Sequence, residues 1–244
     1  ILNEKEESNW PSKWPVEQIL EEKKNWQKLG QIDSWFREKM CVAISPDSQI
    51  FKKEYFRYYD PHDLNREDLS IYTTVDLAIS EKITADYTVI MTVGVNSDNQ
   101  WFILDCDFGR WNPTKAMDQL FLAVQKYKPL CVGIEQVAYQ AAFRHFLERE
   151  MPKRNSFFRI EPLKAENKKE IRISAMQPRF ALGTVWFPQG QTFLGELETE
   201  LITYPRGRHD DLIDALAYIE QIANPPVSSF AKLGDNDIPF AGVY

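Results

Sequence analysis

The apolar positions of this chain change period several times, and each change marks an element. Residues 70–78 form a β-branched apolar run broken by one acid, Asp76, which predicts a buried strand. Residues 87–95 and 101–106 predict two further strands. The turn residues at 96–99 join them as a hairpin. Residues 113–127 carry a helical period that opens on Pro113. Residues 130–134 read as a short, fully apolar strand. Residues 138–150 are helical, with Ala141, Ala142, Phe146 and Leu147 on the inner side. A strand at 157–162, parallel to the previous one, follows, then a basic helix at 168–182 and a short strand at 184–187. Two helices, at 193–201 and 211–223, complete the pattern, and Pro225-Pro226 stops the second. Three antiparallel strands followed by alternating helices and strands predict an α/β fold, a mixed β-sheet flanked by helices on both faces.

The first 68 residues read differently. Trp10, Trp14, Trp26 and Trp35 stand among many Glu and Lys residues, and a helical pattern runs over 15–29 to a stop at Gly30. An aromatic stretch at 51–59 and a turn at Asp60-Pro61 follow. This predicts a mostly helical segment at 1–68, too short and irregular for a catalytic domain of its own. The main domain then covers 69–224, with a loosely ordered tail at 225–244.

Composition narrows the function. The chain has 244 residues, enough for one sizeable core plus an appendage, and is 43% hydrophobic. No apolar run reaches the ~18 residues of a membrane span, and nothing resembles a secretion leader. Cys41, Cys106 and Cys131 lie among apolar neighbours without a CxxC pair, which suits buried thiols in a reducing compartment rather than a zinc site. There is no GxxxxGK[ST] loop, so ATP hydrolysis is not expected of this chain. The net charge of -7 argues against nucleic acid. The stretch 144–180 reverses that, holding ten basic and five acidic residues for a local excess of five positive charges.

Three acidic positions are costly where the pattern puts them. Asp76 lies inside a buried strand and Glu135 ends one. Asp210, Asp211 and Asp214 open the last helix. Buried carboxylates must be paired, protonated or metal-bound. Each has a plainer use: an ion pair for Asp76, a strand end for Glu135, a helix cap for Asp210, and favourable dipole interactions for acids in a first turn. Asp214 lies one turn from Asp211 and shares its face. Acids on two strands and one helix start, taken together, suit a cage for Mg2+, which prefers carboxylate oxygens. His209 precedes the acid pair as an outer group or proton carrier.

The residues that carry a resemblance are Val75-Asp76-Leu77-Ala78, Ala85-Asp86-Tyr87-Thr88, Gly133-Ile134-Glu135-Gln136, Lys164 with Arg172, the run from Pro178 to Pro188, and Gly207-Arg208-His209-Asp210-Asp211-Leu212-Ile213-Asp214-Ala215. In this order they resemble the nuclease domain of the large terminase subunit of tailed bacteriophages. The resemblance implies an RNase H-like fold and a metal-dependent endonuclease that cuts concatemeric viral DNA with two ions, Mg2+ or Mn2+. Asp76, Glu135 and Asp211 would be the principal ligands, with Asp210 close by; the sequence favours Asp211 over Asp210 without deciding between them. Asp86, His209 and Asp214 would lie in an outer layer. Lys164, Lys168, Lys169, Arg172 and Arg179 would contact double-stranded DNA. The resemblance also implies a monomeric fragment of a packaging motor that works with a portal protein and a small terminase subunit in the host cell cytoplasm, with residues 1–68 following an ATPase. A different RNase H-like enzyme, of the resolvase or transposase kind, and a non-catalytic docking module are the alternatives.

Overall fold

The computed structural model describes residues 7–40, 48–78, 86–135, 138–164 and 168–226. The expected tail beyond 226 and Cys41 fall outside these residues. Among the described residues the sheet has seven strands: β1 (Arg57–Tyr59), β2 (Ser70–Asp76), β3 (Thr88–Val95), β4 (Trp101–Gly109), β5 (Cys131–Glu135), β6 (Ile160–Leu163) and β7 (Val185–Pro188). Their spatial order is β1-β7-β4-β3-β2-β5-β6. The antiparallel pairs are β2 with β3 and β3 with β4; β5, β6, β7 and β1 are added in parallel. This is the mixed sheet that the pattern predicts, with the three-strand meander at its centre.

Helices cover both faces. α3 (Pro113–Tyr127) and α4 (Ala138–Arg154) lie on one face, where Leu120, Phe121, Val124, Phe143, Leu147 and Met151 meet Val75, Ile90, Val132 and Ile134. α5 (Lys169–Ser174), α6 (Gln177–Ala181), α7 (Leu194–Thr203) and α8 (Asp211–Tyr218) lie on the other, against Tyr72, Val89, Met91 and Val93. Strand alternation sends odd and even positions of β3 to opposite helical layers. In α4 the inward stripe is Phe143, Leu147 and Met151, spaced four apart, while Phe146 is 55% exposed. The expected inward Phe146 is therefore corrected by one position of helical phase. The single basic helix expected at 168–182 is two helices, because Pro178 lacks the N–H that a continuous helix needs and stands in the first turn of α6.

The N-terminal segment contributes a helical hairpin, α1 (Val16–Lys28) and α2 (Ile32–Met40), that buries Ile19 and Trp35. Gly30, between them, has a φ of +69°, a left-handed conformation that glycine adopts without strain. The end of the segment differs from expectation. Residues 57–59, read from sequence as part of an aromatic stretch ahead of the main domain, form the edge strand β1 beside β7. Phe51 and Phe56 belong to the core beneath it. Phe51 is fully buried, with its ring 4.9 Å from that of Phe180, edge to face, and 6.1 Å from Tyr204. Phe51→Ala leaves a cavity under the sheet, and we expect it to cost ~3 kcal/mol in one cooperative urea transition. A transition split in two, with the main one unmoved, would show that this stretch folds apart from the sheet.

No helix of the described residues is long and apolar enough to cross a membrane.

Candidate metal centre

Alternation and register build the site. Tyr72, Thr74 and Asp76 occupy even positions of β2, opposite in face to Val75. The Thr74 hydroxyl donates to the Ala215 carbonyl of α8 at 2.6 Å, so the face that carries Asp76 is the one α8 covers. On β5 the inward neighbours Val132 and Ile134 point to the α3–α4 layer, which turns Glu135 to the α8 face as well. Val75 pairs with Ile134 in the parallel register, so Asp76 and Glu135 end adjacent strands side by side. α8 then enters over these strand ends with its N-terminus, bringing Asp210, Asp211 and Asp214.

Burial makes Asp76, Asp211 and Asp214 hard to ionise. The Asp76 carboxyl is pushed up to about 7, by desolvation first and then by the charge of Asp214, with Glu135 and Asp211 adding to it and Lys169 opposing. Desolvation also raises Asp211, against the Tyr87 N–H and Lys169, and raises Asp214, against Lys169 and Arg172. Asp211 and Asp214 are each 4% exposed. The Tyr87 backbone N–H donates to Asp211 Oδ2 at 2.9 Å, and His209 Nδ1 lies 3.8 Å from the same oxygen. Asp86 is exposed, beside this contact, and its charge pushes the Asp211 carboxyl up. Glu135 is only partly exposed, and its charge adds to the burial that raises the Tyr218 phenol.

Two cations from α5 reach the cluster. Lys169 Nζ lies 2.6 Å from Asp210 Oδ1, 3.6 Å from Asp214 Oδ2 and 3.7 Å from Asp211 Oδ1. Arg172 grips Asp214 with two bonds, Nε to Oδ1 at 2.8 Å and an Nη to Oδ2 at 2.9 Å, and its guanidinium sits 3.9 Å from the centre of the Tyr218 ring. With Lys169 in this place, no three Asp, Glu, His or Cys side chains among the described residues stand in ready metal-binding geometry. The chemistry of the donor set nonetheless fits a hard divalent cation: all oxygens, desolvated, and pressed together against their mutual repulsion.

A family model for the terminase RNase H-like domain matches residues 73–220, more than half of the chain. The chain belongs to this family. The matched span opens within the strand of Asp76 and closes just after α8, so it contains every acid described above. The fold agrees with solved terminase nucleases. The human cytomegalovirus terminase nuclease domain, soaked with Mn and bound to an inhibitor, superposes with a TM-score of 0.54 at 16% identity, covering 72% of this chain and 95% of that one. The large terminase nuclease of thermophilic phage G20c gives 0.53 at 16% identity, covering 72% and 99%. The same nuclease with bound magnesium gives 0.52 at 16%, covering 72% and 98%. No curated protein matches in sequence.

Within this terminase RNase H-like domain the basic residues divide. Lys169 and Arg172 join the acids, while Lys168 stands just before α5 and is exposed. Lys164 follows β6, exposed, and its backbone N–H and C=O are clamped by the Gln221 side chain at 2.9 Å each. Arg179 lies elsewhere. Its guanidinium makes a two-bond pair with Glu220 at 2.8 and 3.0 Å and stacks 4.3 Å from the Trp101 ring centre. Val89 pairs with both Asp76 and Phe108, so Trp101 stands at the end of β4 away from the acids.

One residue of the site was missed in the sequence. Glu200, on α7, is 2% exposed, and its Oε2 accepts the N–H groups of Leu212 at 2.9 Å and Ile213 at 3.1 Å. It performs the capping that Asp210, at the cap position, leaves undone, since Asp210 turns to Lys169. The signal was present: Leu197 and Leu201 of α7, with Phe193 and Tyr204 flanking it, form a buried stripe, and Glu200 falls on it.

Proposed function

We propose that this chain is the metal-dependent DNA endonuclease of a phage packaging terminase, cutting concatemeric double-stranded DNA with two divalent ions, Mg2+ or Mn2+. The observation that supports it is the convergence of Asp76, Glu135 and Asp211 at one end of the sheet, in a domain of the terminase RNase H-like family. Asp76, Glu135 and Asp211 would hold the ions, with Asp210 at the rim. Bound there, the ions would supply charge neutralisation at the phosphate, an activated water and a stabilised leaving oxygen. The protein's own groups orient the ligands. The Tyr87 N–H fixes Asp211, Arg172 of α5 holds Asp214, and Glu200 holds the turn that carries them. Lys164 and Lys168, exposed beside the acids, steer the phosphate backbone without reading bases, since phosphate contacts carry no sequence information directly. Selection of the cut then falls to the packaging motor, with its portal protein and small subunit, in the host cytoplasm.

The test is plasmid cleavage by the purified chain. We expect nicked and then linear DNA at micromolar protein, faster with Mn2+ than with Mg2+ because Mn2+ binds such sites more tightly, and none in EDTA. Sequenced ends should scatter. Intact supercoiled plasmid after long incubation in Mn2+ would sink the reading, and a strong consensus at the ends would refute its account of specificity.

A further inference from the structure

Among the described residues, the space shared by the acids of α8 already holds a positive charge. One ammonium, that of Lys169, lies within 4 Å of three carboxylates. A lysine amine is protonated at neutral pH, so these contacts are ion pairs. We propose that Lys169 is a resident counter-ion of this centre, neutralising the α8 carboxylates while no divalent ion is bound and displaced when one binds. The proposal rests on the metal-dependent reading above.

The two cations of α5 make the argument by contrast. Arg172 is fixed: its planar fork meets Asp214 by two bonds, its face lies on Tyr218, and its side chain is 11% exposed. Lys169 is a point charge on a flexible stem, and its side chain is 33% exposed, so it has an open route to water. Partly exposed single-charge pairs are weak, and a double charge competes with them favourably for the same oxygens. Asp210, Asp211 and Asp214 are aimed at an ammonium, and their oxygens must regroup once it leaves. Displaced outward, the ammonium stands at the rim of the acid centre, where a phosphodiester would approach. The same lysine would thus neutralise the acids before a divalent ion binds and meet DNA afterwards.

The experiment measures Mn2+ binding by calorimetry on the whole chain, wild type beside Lys169→Met and Lys169→Arg, with thermal unfolding in EDTA and in Mn2+. Removing the ammonium should tighten Mn2+ binding about tenfold, the scale of one modest ionic competition. Lys169→Arg keeps the charge and should remain within about twofold of wild type. In EDTA at pH 8, Lys169→Met should melt below wild type, because its acids are left unneutralised, and Mn2+ should close that gap. Wild type that binds Mn2+, with Lys169→Met binding equally or more weakly, overturns the counter-ion role alone. Unchanged Mn2+ affinity together with a flattened salt dependence of DNA binding would make Lys169 a phosphate contact only and overturns it likewise. Wild type that binds no Mn2+ at all overturns the metal-dependent reading and this proposal with it.

Discussion

Asp76→Asn should abolish cleavage while leaving the fold as stable as before, or more so, in the absence of metal. The substitution keeps the shape of the side chain and removes one charge. Groups that merely orient a metal ligand typically cost 10–100-fold in affinity or activity when changed, so loss of a direct ligand should exceed ~100-fold in cutting rate. Stability should move the other way. Asp76 is raised to about 7, mainly by burial and then by Asp214. A carboxyl raised in the native state keeps its proton longer there than in the unfolded chain. Its contribution is whole below the ordinary value of 3.8 and is lost as pH rises through about 7. At pH 8 in EDTA the native state therefore bears the full cost of an ionised Asp76, which the asparagine does not. With Mn2+ the order reverses, because wild type gains binding free energy that the variant lacks. Plasmid cleavage and paired melting curves, with EDTA and with Mn2+, measure both halves. Normal cutting by the variant removes Asp76 from the metal centre.

The two halves of the site were not equally legible. Asp76 and Glu135 could be found because an acid in an apolar strand is costly wherever the strand lies, and the two-residue period then fixes the face it points to. That they are neighbours depends on β2 and β5 pairing in parallel, with Val75 opposite Ile134, across more than fifty residues of intervening chain. No local pattern encodes that register. The basic helix was visible as a charge excess, and the sequence assigned it whole to DNA. Its division at Pro178 separates Lys169 and Arg172, which face α8, from Arg179, which pins α6 to Glu220 and Trp101. Charge counting cannot make that separation, because all three are equally basic and only the packing of α5 on α8 decides which of them meets acids. β1 was missed for another reason. Three residues, Arg57–Tyr59, give too short an alternation to distinguish a strand from an aromatic loop, and the neighbour that makes them one, β7, lies far along the chain.

Glu200 yields the second large effect, in the pH dependence of stability. Its carboxyl is raised from the ordinary 4.5 to about 8, by burial above all, with the Ile213 and Leu212 N–H groups opposing and the charges of Asp211 and Asp210 adding. Among the described residues its Oε1 is buried without a hydrogen-bond partner, so only one of its two oxygens is compensated when it is charged. The raised group holds its proton in the native state while the unfolded chain releases it. Stability from Glu200 is therefore intact below about 4.5, falls as pH rises from there to about 8, and is flat above. At about 1.4 kcal/mol per pH unit, the loss over that window is about 4–5 kcal/mol. Glu200→Gln keeps an amide oxygen for the Leu212 and Ile213 N–H groups and has nothing to titrate. In EDTA, urea unfolding should show wild type losing stability relative to Glu200→Gln by most of that amount between pH 5 and pH 9. The difference between the two curves therefore reads Glu200 together with its coupling to Asp211 and Asp210. Glu200→Leu supplies the control, because it strands two buried N–H groups at the start of α8 and should be destabilised by ~1–3 kcal/mol even at pH 5, where the charge plays little part. Parallel wild-type and Glu200→Gln curves across the window would mean that Glu200 meets water in solution, and that the first turn of α8 is held by something other than this buried carboxyl.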